Sequence, residues 1–303
     1  MRNGWEYVGI MAMEASNESQ FYRAASFSEA ASLLREHDAA IIAGGQSLMP
    51  LLRQGVIDKD VIVDVSAIDG HDEVDAGDDE LYLGGLATHR DLIESGLDET
   101  PWRAIPETAK EIGDRQVRNW GTVGGSIAHA DPSLDYPPTM MAFDAEVECS
   151  DGETTEYVPM EEFYVGEYVT VLEPGQLVTG VRMPRPPAGT GVGFEKFAWR
   201  KGDMSLVNVA ARLTVDGSEI TEARIVVGCM GPTPLRMEEM EEALVGSDVD
   251  DEERQRRVAE HVDEFTQPVG EQHASVAYKN RLAERLTQKA LRTAAERATE
   301  DDQ

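Results

Sequence analysis

Cysteine is almost absent from this 303-residue chain, which contains only Cys149 and Cys229. Each stands alone in an apolar, strand-like stretch, so we expect both to be buried, reduced thiols. No Cys-x-x-Cys pair is present, although iron–sulfur clusters and structural metal sites usually need several such ligands. The six histidines are also too widely spaced to form a metal site. The sequence therefore predicts that this chain holds no metal ion or cluster of its own.

Long hydrophobic runs are absent as well. No stretch of 18 apolar residues occurs, which excludes a membrane-spanning helix. The first 20 residues lack the basic region and apolar core of a secretory signal. No G-x-G-x-x-G opens a helix, and neither a P-loop nor a G-x-S-x-G nucleophile elbow is present. We therefore expect a cytoplasmic protein. Its function is not indicated by any of these nucleotide or hydrolase motifs.

Basic residues are few: 27 Lys and Arg stand against 58 Asp and Glu, which gives a formal net charge of −31. This balance excludes a nucleic-acid partner, because phosphate contacts need Lys and Arg. The acidic residues are spread along the whole chain, and their mutual repulsion is tolerable where concentrated salt screens it. The composition indicates the cytoplasm of an extreme halophile, with a merely acidic mesophilic protein as the alternative.

Two Gly-Gly pairs, about 80 residues apart, are the most informative feature that is present. We call the stretches that contain them the first glycine segment, Ala43-Gly44-Gly45-Gln46-Ser47-Leu48, and the second glycine segment, Thr122-Val123-Gly124-Gly125-Ser126. Glycine lets backbone N–H groups turn inward and approach an anion closely. Each segment alone could be a tight turn. Together they predict two loops that hold both sides of one long, phosphate-bearing cofactor.

Hydrophobic periodicity and capping residues predict most of the remaining elements. We expect helices at 27–37, 100–112, 235–245, 251–265 and 275–298, a helix that opens from a rigid turn at 131–138 and runs through Ala142, and a short helix after Thr88. A single helical turn at 48–52 is expected to break at Pro50. Strands are expected at 40–43, 61–65, 81–86 and 176–183, with hairpins around Asp151-Gly152 and Asp216-Gly217. The prolines and glycines between 184 and 193 indicate a linker.

Several polar residues near the second glycine segment are candidates for cofactor contacts. Asp135 could accept hydrogen bonds from ribityl or ribose hydroxyls, or it could simply cap the next helix. His129 could face the cofactor or serve packing alone. The stretch 194–203 combines aromatic and basic side chains, and its alternative interpretation is an edge strand with solvated charges.

Three motifs in order carry a resemblance to a known family. The stretch 43–52 resembles the first flavin-binding loop of the FAD-binding (medium) subunits of molybdenum hydroxylases, a group that includes aerobic carbon monoxide dehydrogenases and xanthine dehydrogenases. The stretch 118–138 resembles their second loop, and 194–210 resembles the opening of their C-terminal domain. The similarity extends over roughly 21–291.

The resemblance implies an α+β protein. It would contain a two-subdomain FAD-binding fold of the vanillyl-alcohol-oxidase (PCMH) type and a C-terminal α+β domain of the CO dehydrogenase flavoprotein type. The expected boundaries are an N-terminal extension at 1–18, subdomain 1 at 19–66, subdomain 2 at 67–188, the C-terminal domain at 189–298 and a tail at 299–303. Because the family motif begins close to the start codon, Met11 or Met13 is a plausible true start.

The resemblance also implies the cofactor contacts. The FAD pyrophosphate would lie on the N–H groups of both glycine segments, and Asp135 would bind the cofactor's sugar-like chain. Ile112 and Val178 match apolar contacts, and Lys196 and Met204 fall near the expected edge of the flavin ring. Ser126 stands where family members commonly have Asn or Asp. The implied cofactor-binding residues are Ala43, Gly44, Gly45, Gln46, Ser47, Leu48, Ile112, Thr122, Val123, Gly124, Gly125, Ser126, Asp135, Val178 and Lys196.

The function implied is electron transfer. In this family a molybdopterin-binding large subunit oxidises the substrate, and a small subunit passes the electrons through two [2Fe–2S] clusters to the FAD of the medium subunit. We expect an (αβγ)2 assembly, an oxidoreductase role, and no catalytic acid, base or nucleophile here. The two isolated cysteines exclude relatives whose flavin subunit carries an inserted cluster. The alternatives are a stand-alone FAD oxidase or dehydrogenase of the same fold and an assembly protein without FAD. The substrate (carbon monoxide, a purine or an aldehyde) and the acceptor (NAD or a quinone) stay open.

Overall fold

A computed structural model describes residues 19–300 of the chain. The expected N-terminal extension (1–18), the alternative starts Met11 and Met13, and the last three residues of the expected tail lie outside the described residues. The described part contains three main sheets, each with its own covering helices, and we treat these as three units in chain order.

The first unit is a small three-stranded parallel sheet in the order β1-β3-β2, covered by one helix. Its elements are β1 (Gln20–Arg23), α1 (Phe27–Glu36), β2 (Ala39–Ile42), α2 (Leu48–Arg53) and β3 (Val61–Asp64). The Ser26 hydroxyl accepts from the Glu29 N–H at 3.1 Å and so caps α1, as its sequence predicts. Strand β3 is buried along its whole length, which confirms that both its faces are covered. The expected break at Pro50 is wrong, because a proline in the first turn of a helix removes no internal hydrogen bond.

The second unit is a five-stranded antiparallel sheet in the order β4-β5-β10-β6-β7. Its strands are β4 (Val74–Ala76), β5 (Glu80–Gly84), β6 (Glu146–Ser150), β7 (Thr155–Pro159) and β10 (Leu177–Pro184), and a separate small hairpin pairs β8 (Tyr164–Gly166) with β9 (Val169–Thr170). Its helices are α3 (His89–Glu94), α4 (Ala104–Glu111), α5 (Arg115–Trp120), α6 (Val123–His129), α7 (Tyr136–Ala142) and α8 (Met160–Phe163). The hairpin around Asp151 and the Thr88 cap are confirmed.

Two of the expected elements in this unit begin elsewhere. Helix α4 starts at Ala104 rather than Thr100, because the Thr100 N–H and hydroxyl both donate to the Leu97 carbonyl and close a 3-10 turn first. The second glycine segment was expected to be a loop and is the first turn of α6 instead. Thr122 begins that helix by accepting the Gly125 N–H at 3.2 Å.

The third unit is a four-stranded antiparallel sheet in the order β11-β12-β13-β14 with a long helix against it. Its elements are β11 (Thr190–Phe197), β12 (Val207–Asp216), β13 (Glu219–Gly228), β14 (Leu235–Arg236), α9 (Glu238–Leu244), α10 (Glu252–Ala259) and α11 (Val276–Ala298). The hairpin around Asp216-Gly217 is confirmed. The helix expected over 235–245 starts only at Glu238, and that over 251–265 is divided, with a 3-10 turn at Val262–Glu264.

The glycines expected to mark a linker are partly inside strand β11. A β-carbon on Gly191 would lie 2.1 Å from the Ala294 carbonyl oxygen, and one on Gly193 would lie 2.3 Å from that of Ala290. These glycines therefore let helix α11 pack directly on the backbone of β11. They do not mark a flexible linker. The stretch 194–203 begins in this edge strand, so the edge-strand interpretation is correct for 194–197, but its solvated charges are wrong for Lys196, whose side chain is only 6% exposed.

Three separate hydrophobic cores lie under the three sheets. The mixed sheets and helices confirm the α+β fold class. The domain boundaries at 66/67 and 188/189 stay predictions; they fall between β3 and β4 and between β10 and β11.

The excess of acidic residues leads us to expect that salt stabilises the chain. Raising NaCl from about 0.1 M to about 1 M shortens the screening length from about 10 Å to about 3 Å, which weakens carboxylate repulsion more than it weakens short ion pairs. The midpoint of urea unfolding should therefore rise steadily with NaCl. The rise should shrink as the pH approaches the isoelectric point of about 4.4. A midpoint that falls with NaCl at neutral pH would contradict the halophilic interpretation.

Candidate cofactor site

A cavity of about 570 Å³ lies where the three units meet. This volume is in the usual range for sites that bind a cofactor. All of the expected cofactor-binding residues line it except Val123 and Lys196. The first unit contributes the whole first glycine segment, the second contributes α6 and the corner before α5, and the third contributes the loop 202–204. The fold therefore brings both glycine segments to one cavity.

The first glycine segment presents a row of unused backbone donors to this cavity. Within residues 19–300, the N–H groups of Gly44, Gly45, Gln46, Ser47 and Leu48 donate to no protein acceptor. Gly45 has φ +68°, a left-handed conformation that glycine adopts without strain. The turn that it allows leads into the start of α2, where unpaired N–H groups also point outward. Such a concave row of donors fits a phosphate or pyrophosphate.

The two glycine segments meet through a backbone contact at Gly44. A β-carbon on Gly44 would lie 1.8 Å from the Trp120 carbonyl oxygen and 2.9 Å from Gly121 Cα. No side chain fits there, so glycine is required for the first unit to approach the end of α5. This contact places the donor row directly beside the start of α6.

The second glycine segment uses its own N–H groups differently from what its sequence suggests. The Val123 N–H donates to Ala87 O at 2.9 Å, and the Gly124 N–H donates to Gly85 O at 2.9 Å. The N–H groups of Gly125 and Ser126 both donate to Thr122, to its hydroxyl and its carbonyl respectively. These four N–H groups already have acceptors in the fold, so they are not free to bind the pyrophosphate. The expectation that the pyrophosphate lies on N–H groups of both segments is corrected for these four groups. The half-buried Ser126 hydroxyl has no partner among the described residues.

Close backbone packing explains Gly124 of the second segment. A β-carbon on Gly124 would lie 2.8 Å from the Gly85 carbonyl oxygen and 2.9 Å from that of Val178. Val178 in β10 lines the cavity with Leu177, and Ile112 lines it from the corner after α4. These apolar side chains provide a surface on which a flat ring can lie.

Asp135 is almost fully buried and is held by three side chains from the third unit. Its Oδ2 accepts from Lys196 Nζ at 2.7 Å, and its Oδ1 accepts from the Ser205 hydroxyl at 2.6 Å and from Asn208 Nδ2 at 3.0 Å. It makes no side-chain cap on α7, so the capping alternative is wrong. The Lys196 ammonium also donates to Glu111 O at 3.0 Å and Asp203 O at 3.3 Å. Lys196 therefore reaches the site through Asp135 and the loop 202–204, and it does not line the cavity.

His129 lines the cavity beside an exposed tyrosine. Its Nε2 lies 4.0 Å from Asp131 Oδ2, and Tyr168 donates to the same oxygen at 3.0 Å. Burial lowers the pKa of His129, while the charge of Asp131 acts in the opposite direction. The imidazole is therefore uncharged near neutral pH.

Two further residues at the site carry no obvious signal in the sequence. Buried His89 lines the cavity, and its Nδ1 lies 2.9 Å from the Tyr136 hydroxyl. Arg118 donates to the carbonyls of Ile112 at 3.0 Å and Gly113 at 2.8 Å, which fixes the corner that lines the cavity. Arg118 belongs to the second motif, but the pattern alone does not indicate which carbonyls it would bind.

No group of three or more His, Cys, Asp or Glu suited to a metal ion occurs in the described range 19–300. Burial raises the pKa of the Cys149 thiol to about 12 and also raises that of Cys229.

No helix of the described residues is long and apolar enough to cross a membrane.

Comparison with protein families assigns most of the chain. Residues 16–186 match the model of the FAD binding domain in molybdopterin dehydrogenase. The chain belongs to this family. Residues 193–294 match the CO dehydrogenase flavoprotein C-terminal domain. The cofactor is therefore FAD, and the chain is an oxidoreductase subunit with the fold that its motifs imply.

Individual relatives cover nearly the whole chain. Subunit alpha of the 6-hydroxypseudooxynicotine dehydrogenase complex of Paenarthrobacter nicotinovorans is 32% identical over 86% of this chain and 88% of its own. The carbon monoxide dehydrogenase medium chain of Afipia carboxidovorans is 31% identical over 92% of this chain and 97% of its own. The structure of quinoline 2-oxidoreductase from Pseudomonas putida 86 superposes with a TM-score of 0.87 at 30% identity, covering 93% of this chain and 98% of that one.

Proposed function

We propose that the cavity binds FAD with its pyrophosphate on the N–H groups of Gly44 to Leu48. The observation that carries this proposal is the row of five backbone donors that have no acceptor within residues 19–300 and lie at a cavity of about 570 Å³. Backbone donors supply hydrogen bonds to an anion without any positive side chain, which suits a chain with few basic residues.

The remaining expected residues would then have distinct roles. Ala43 and Gln46 extend the wall beside the donor row, and Ile112 and Val178 form apolar walls. Thr122 and Ser126 contribute hydroxyl groups, since the N–H groups of Val123 to Ser126 are already used within the fold. Asp135 has an Oδ2 atom with one donor, so it can accept one more hydrogen bond from a hydroxyl of the cofactor. Lys196 holds that carboxylate in place.

In the complex, this chain would relay electrons. Bound FAD exchanges electrons one or two at a time, and the protein supplies binding, orientation and exclusion of water. No residue of this chain needs to act as a catalytic acid, base or nucleophile. We propose a molybdopterin-binding large subunit and a [2Fe–2S] small subunit as partners in an (αβγ)2 assembly, in the cytoplasm of a halophile.

The substrate is decided outside this chain. Three relatives of 30–32% identity are named for reactions on 6-hydroxypseudooxynicotine, carbon monoxide and quinoline. Such similar flavin chains serve chemically unrelated substrates, so these residues do not select one. The acceptor, NAD or a quinone, is likewise left to the experiment.

The test is to purify the chain in concentrated salt with and without its co-expressed partner subunits. We expect about one FAD per chain in both preparations. Carbon monoxide, xanthine and an aldehyde are then added in turn, and flavin absorbance is followed. The proposal predicts that none of them bleaches the flavin of the isolated chain, and that the flavin of the complex is bleached only by a substrate of its large subunit. An isolated chain whose flavin is reduced by a substrate would support a stand-alone oxidase, and a chain that refuses FAD would support an assembly protein.

A further inference from the structure

His89 forms part of the cavity wall, and none of the expected cofactor contacts includes it. It is the first residue of α3, and only 4% of its surface is exposed. Its backbone N–H donates to Gly121 O at 3.0 Å, which fixes it against the residue before the second glycine segment. This main-chain hydrogen bond holds the start of α3, and with it His89, beside Gly121.

The hydrogen bond to Tyr136 determines which ring nitrogen of His89 carries the proton. The Tyr136 hydroxyl is completely buried, and His89 Nδ1 at 2.9 Å is its hydrogen-bond partner within residues 19–300. Leaving the hydrogen of a buried hydroxyl without an acceptor costs free energy, which favours donation from Tyr136 to Nδ1, and Nδ1 then carries no hydrogen. Burial, with a smaller effect of the Arg118 charge, lowers the pKa of His89 to about 4. The ring is therefore neutral, and its one N–H is at Nε2.

The Nε2 atom of His89 lies beside Gly121, whose missing side chain leaves it uncovered. Nε2 has no hydrogen-bond partner among the described residues and is not sealed from the cavity. A β-carbon on Gly121 would lie 2.6 Å from this atom. Gly121 in turn lies against Gly44, where the row of unused N–H groups begins. One side-chain donor thus stands at the end of a row of main-chain donors.

We propose that His89 binds the cofactor directly, as a neutral imidazole whose Nε2–H donates a hydrogen bond to the pyrophosphate held by Gly44 to Leu48. Tyr136 is its positioning residue, because its hydroxyl holds the tautomer. This inference rests on the proposed function. It adds a side-chain contact to the row of main-chain donors.

The first test measures the FAD dissociation constant of the isolated, FAD-free chain in concentrated salt by flavin fluorescence. His89→Phe removes the donor and keeps a ring of similar size, and it should weaken FAD binding about 10- to 100-fold, as expected for a lost hydrogen bond to a charged group. His89→Gln places an amide donor near the Nε2 position and should restore most of the affinity. Gly121→Ala should weaken binding as His89→Phe does, because its methyl group would cover Nε2.

The second test reads the tautomer without any flavin. Nitrogen-15 NMR of histidine-labelled, FAD-free protein should show His89 as the Nε2–H form, and Tyr136→Phe should convert it to a mixture with weaker FAD binding. Tyr164→Phe is the matched control, since the buried Tyr164 hydroxyl has no partner in the described part of the chain and the residue lies outside the cavity lining. It should change neither result.

The outcomes separate the two proposals. If the wild-type chain binds no FAD, the proposed function fails. If it binds FAD and His89→Phe binds equally tightly, or if NMR finds the Nδ1–H form, the assignment of His89 fails while the proposed function stands. Circular dichroism of each FAD-free variant identifies any that have not folded, and the NMR result on wild-type protein does not depend on them.

Discussion

Replacing Gly44 with alanine should lower the affinity of the chain for FAD by at least about 100-fold, or about 3 kcal/mol. The new methyl group would lie 1.8 Å from the Trp120 carbonyl oxygen and 2.6 Å from its carbonyl carbon. Both are main-chain atoms that cannot rotate away, so the first unit must move from the end of α5. That movement separates the donor row from the start of α6, and the cavity loses its shape.

A matched control distinguishes this effect from simple destabilisation. Gly191→Ala creates a comparable collision, 2.1 Å from the Ala294 carbonyl oxygen, but between β11 and α11 and away from the cavity. It should lower the unfolding midpoint and leave the FAD affinity of the folded protein unchanged. If Gly191→Ala and Gly44→Ala weakened FAD binding equally, the backbone contact at Gly44 would have no specific role.

A milder pair tests the donor row itself. Gly45 and Gly55 have nearly the same left-handed φ, +68° and +67°, at the two ends of the short helix α2. Alanine at either position costs a similar backbone strain, about 1 kcal/mol. Only Gly45 lines the cavity, so only Gly45→Ala should weaken FAD binding. FAD titrations of the two variants at the same salt concentration check this.

The elements that the sequence predicts well are those decided by neighbouring residues. Ser26 and Thr88 bond to backbone groups three residues away, and the Asp151-Gly152 turn joins adjacent strands. Their signals are complete within a few positions, so capping and turn patterns identify them. The glycine segments also contain enough local information to indicate one phosphate-bearing cofactor.

The errors arise where glycine serves distant packing. Gly191 resembles a linker residue in the sequence, yet its neighbour is Ala294, about a hundred positions away. Gly124 resembles a loop residue, yet it lies in a helix pressed against Gly85 and Val178. Composition predicts flexibility in both cases, because it cannot show which backbone will approach. Glycine occurs both where two backbones pack closely and in flexible turns, so the residue alone does not distinguish them.

The electrostatics of the site are also beyond a sequence interpretation. Asp135 and Lys196 are separated by 61 positions, and Asp135 and Asn208 by 73. The resemblance to the family identifies both Asp135 and Lys196 as cofactor residues, but it does not reveal that they bind each other. The pair forms only because the third unit packs against the second. Replacing Lys196 therefore tests what the pair contributes.

Replacing Lys196 with methionine should lower the free energy of unfolding by about 3–5 kcal/mol, because it leaves Asp135 charged and buried without its cation. Both side chains of this pair are only 6% exposed. The variant also removes the donor to Glu111 O and Asp203 O, and the loop 202–204 at the cavity would lose its attachment. FAD binding should therefore weaken together with stability. Urea unfolding in concentrated salt and FAD titration measure the two effects.

The neighbouring ion pair is the natural control. Lys289 Nζ lies 3.9 Å from Glu195 on the same strand as Lys196, and its side chain is 55% exposed. Lys289→Met should cost less than about 1 kcal/mol, because water already solvates that charge. A cost similar to that of Lys196→Met would mean that lost methylene packing or long-range charge, and not burial of the pair, determines the result.

The double variant completes the argument. Asp135→Asn with Lys196→Met removes both charges, and the amide can still accept from Ser205 at the remaining oxygen. Most of the stability lost in Lys196→Met should return, since the buried charge without a partner is gone. FAD affinity should return less completely, because the amide NH2 group that takes the place of Oδ2 cannot accept a hydrogen bond from a hydroxyl of the cofactor. If stability and FAD affinity recovered to the same extent, Asp135 would act only in docking the third unit and would make no contact with the cofactor.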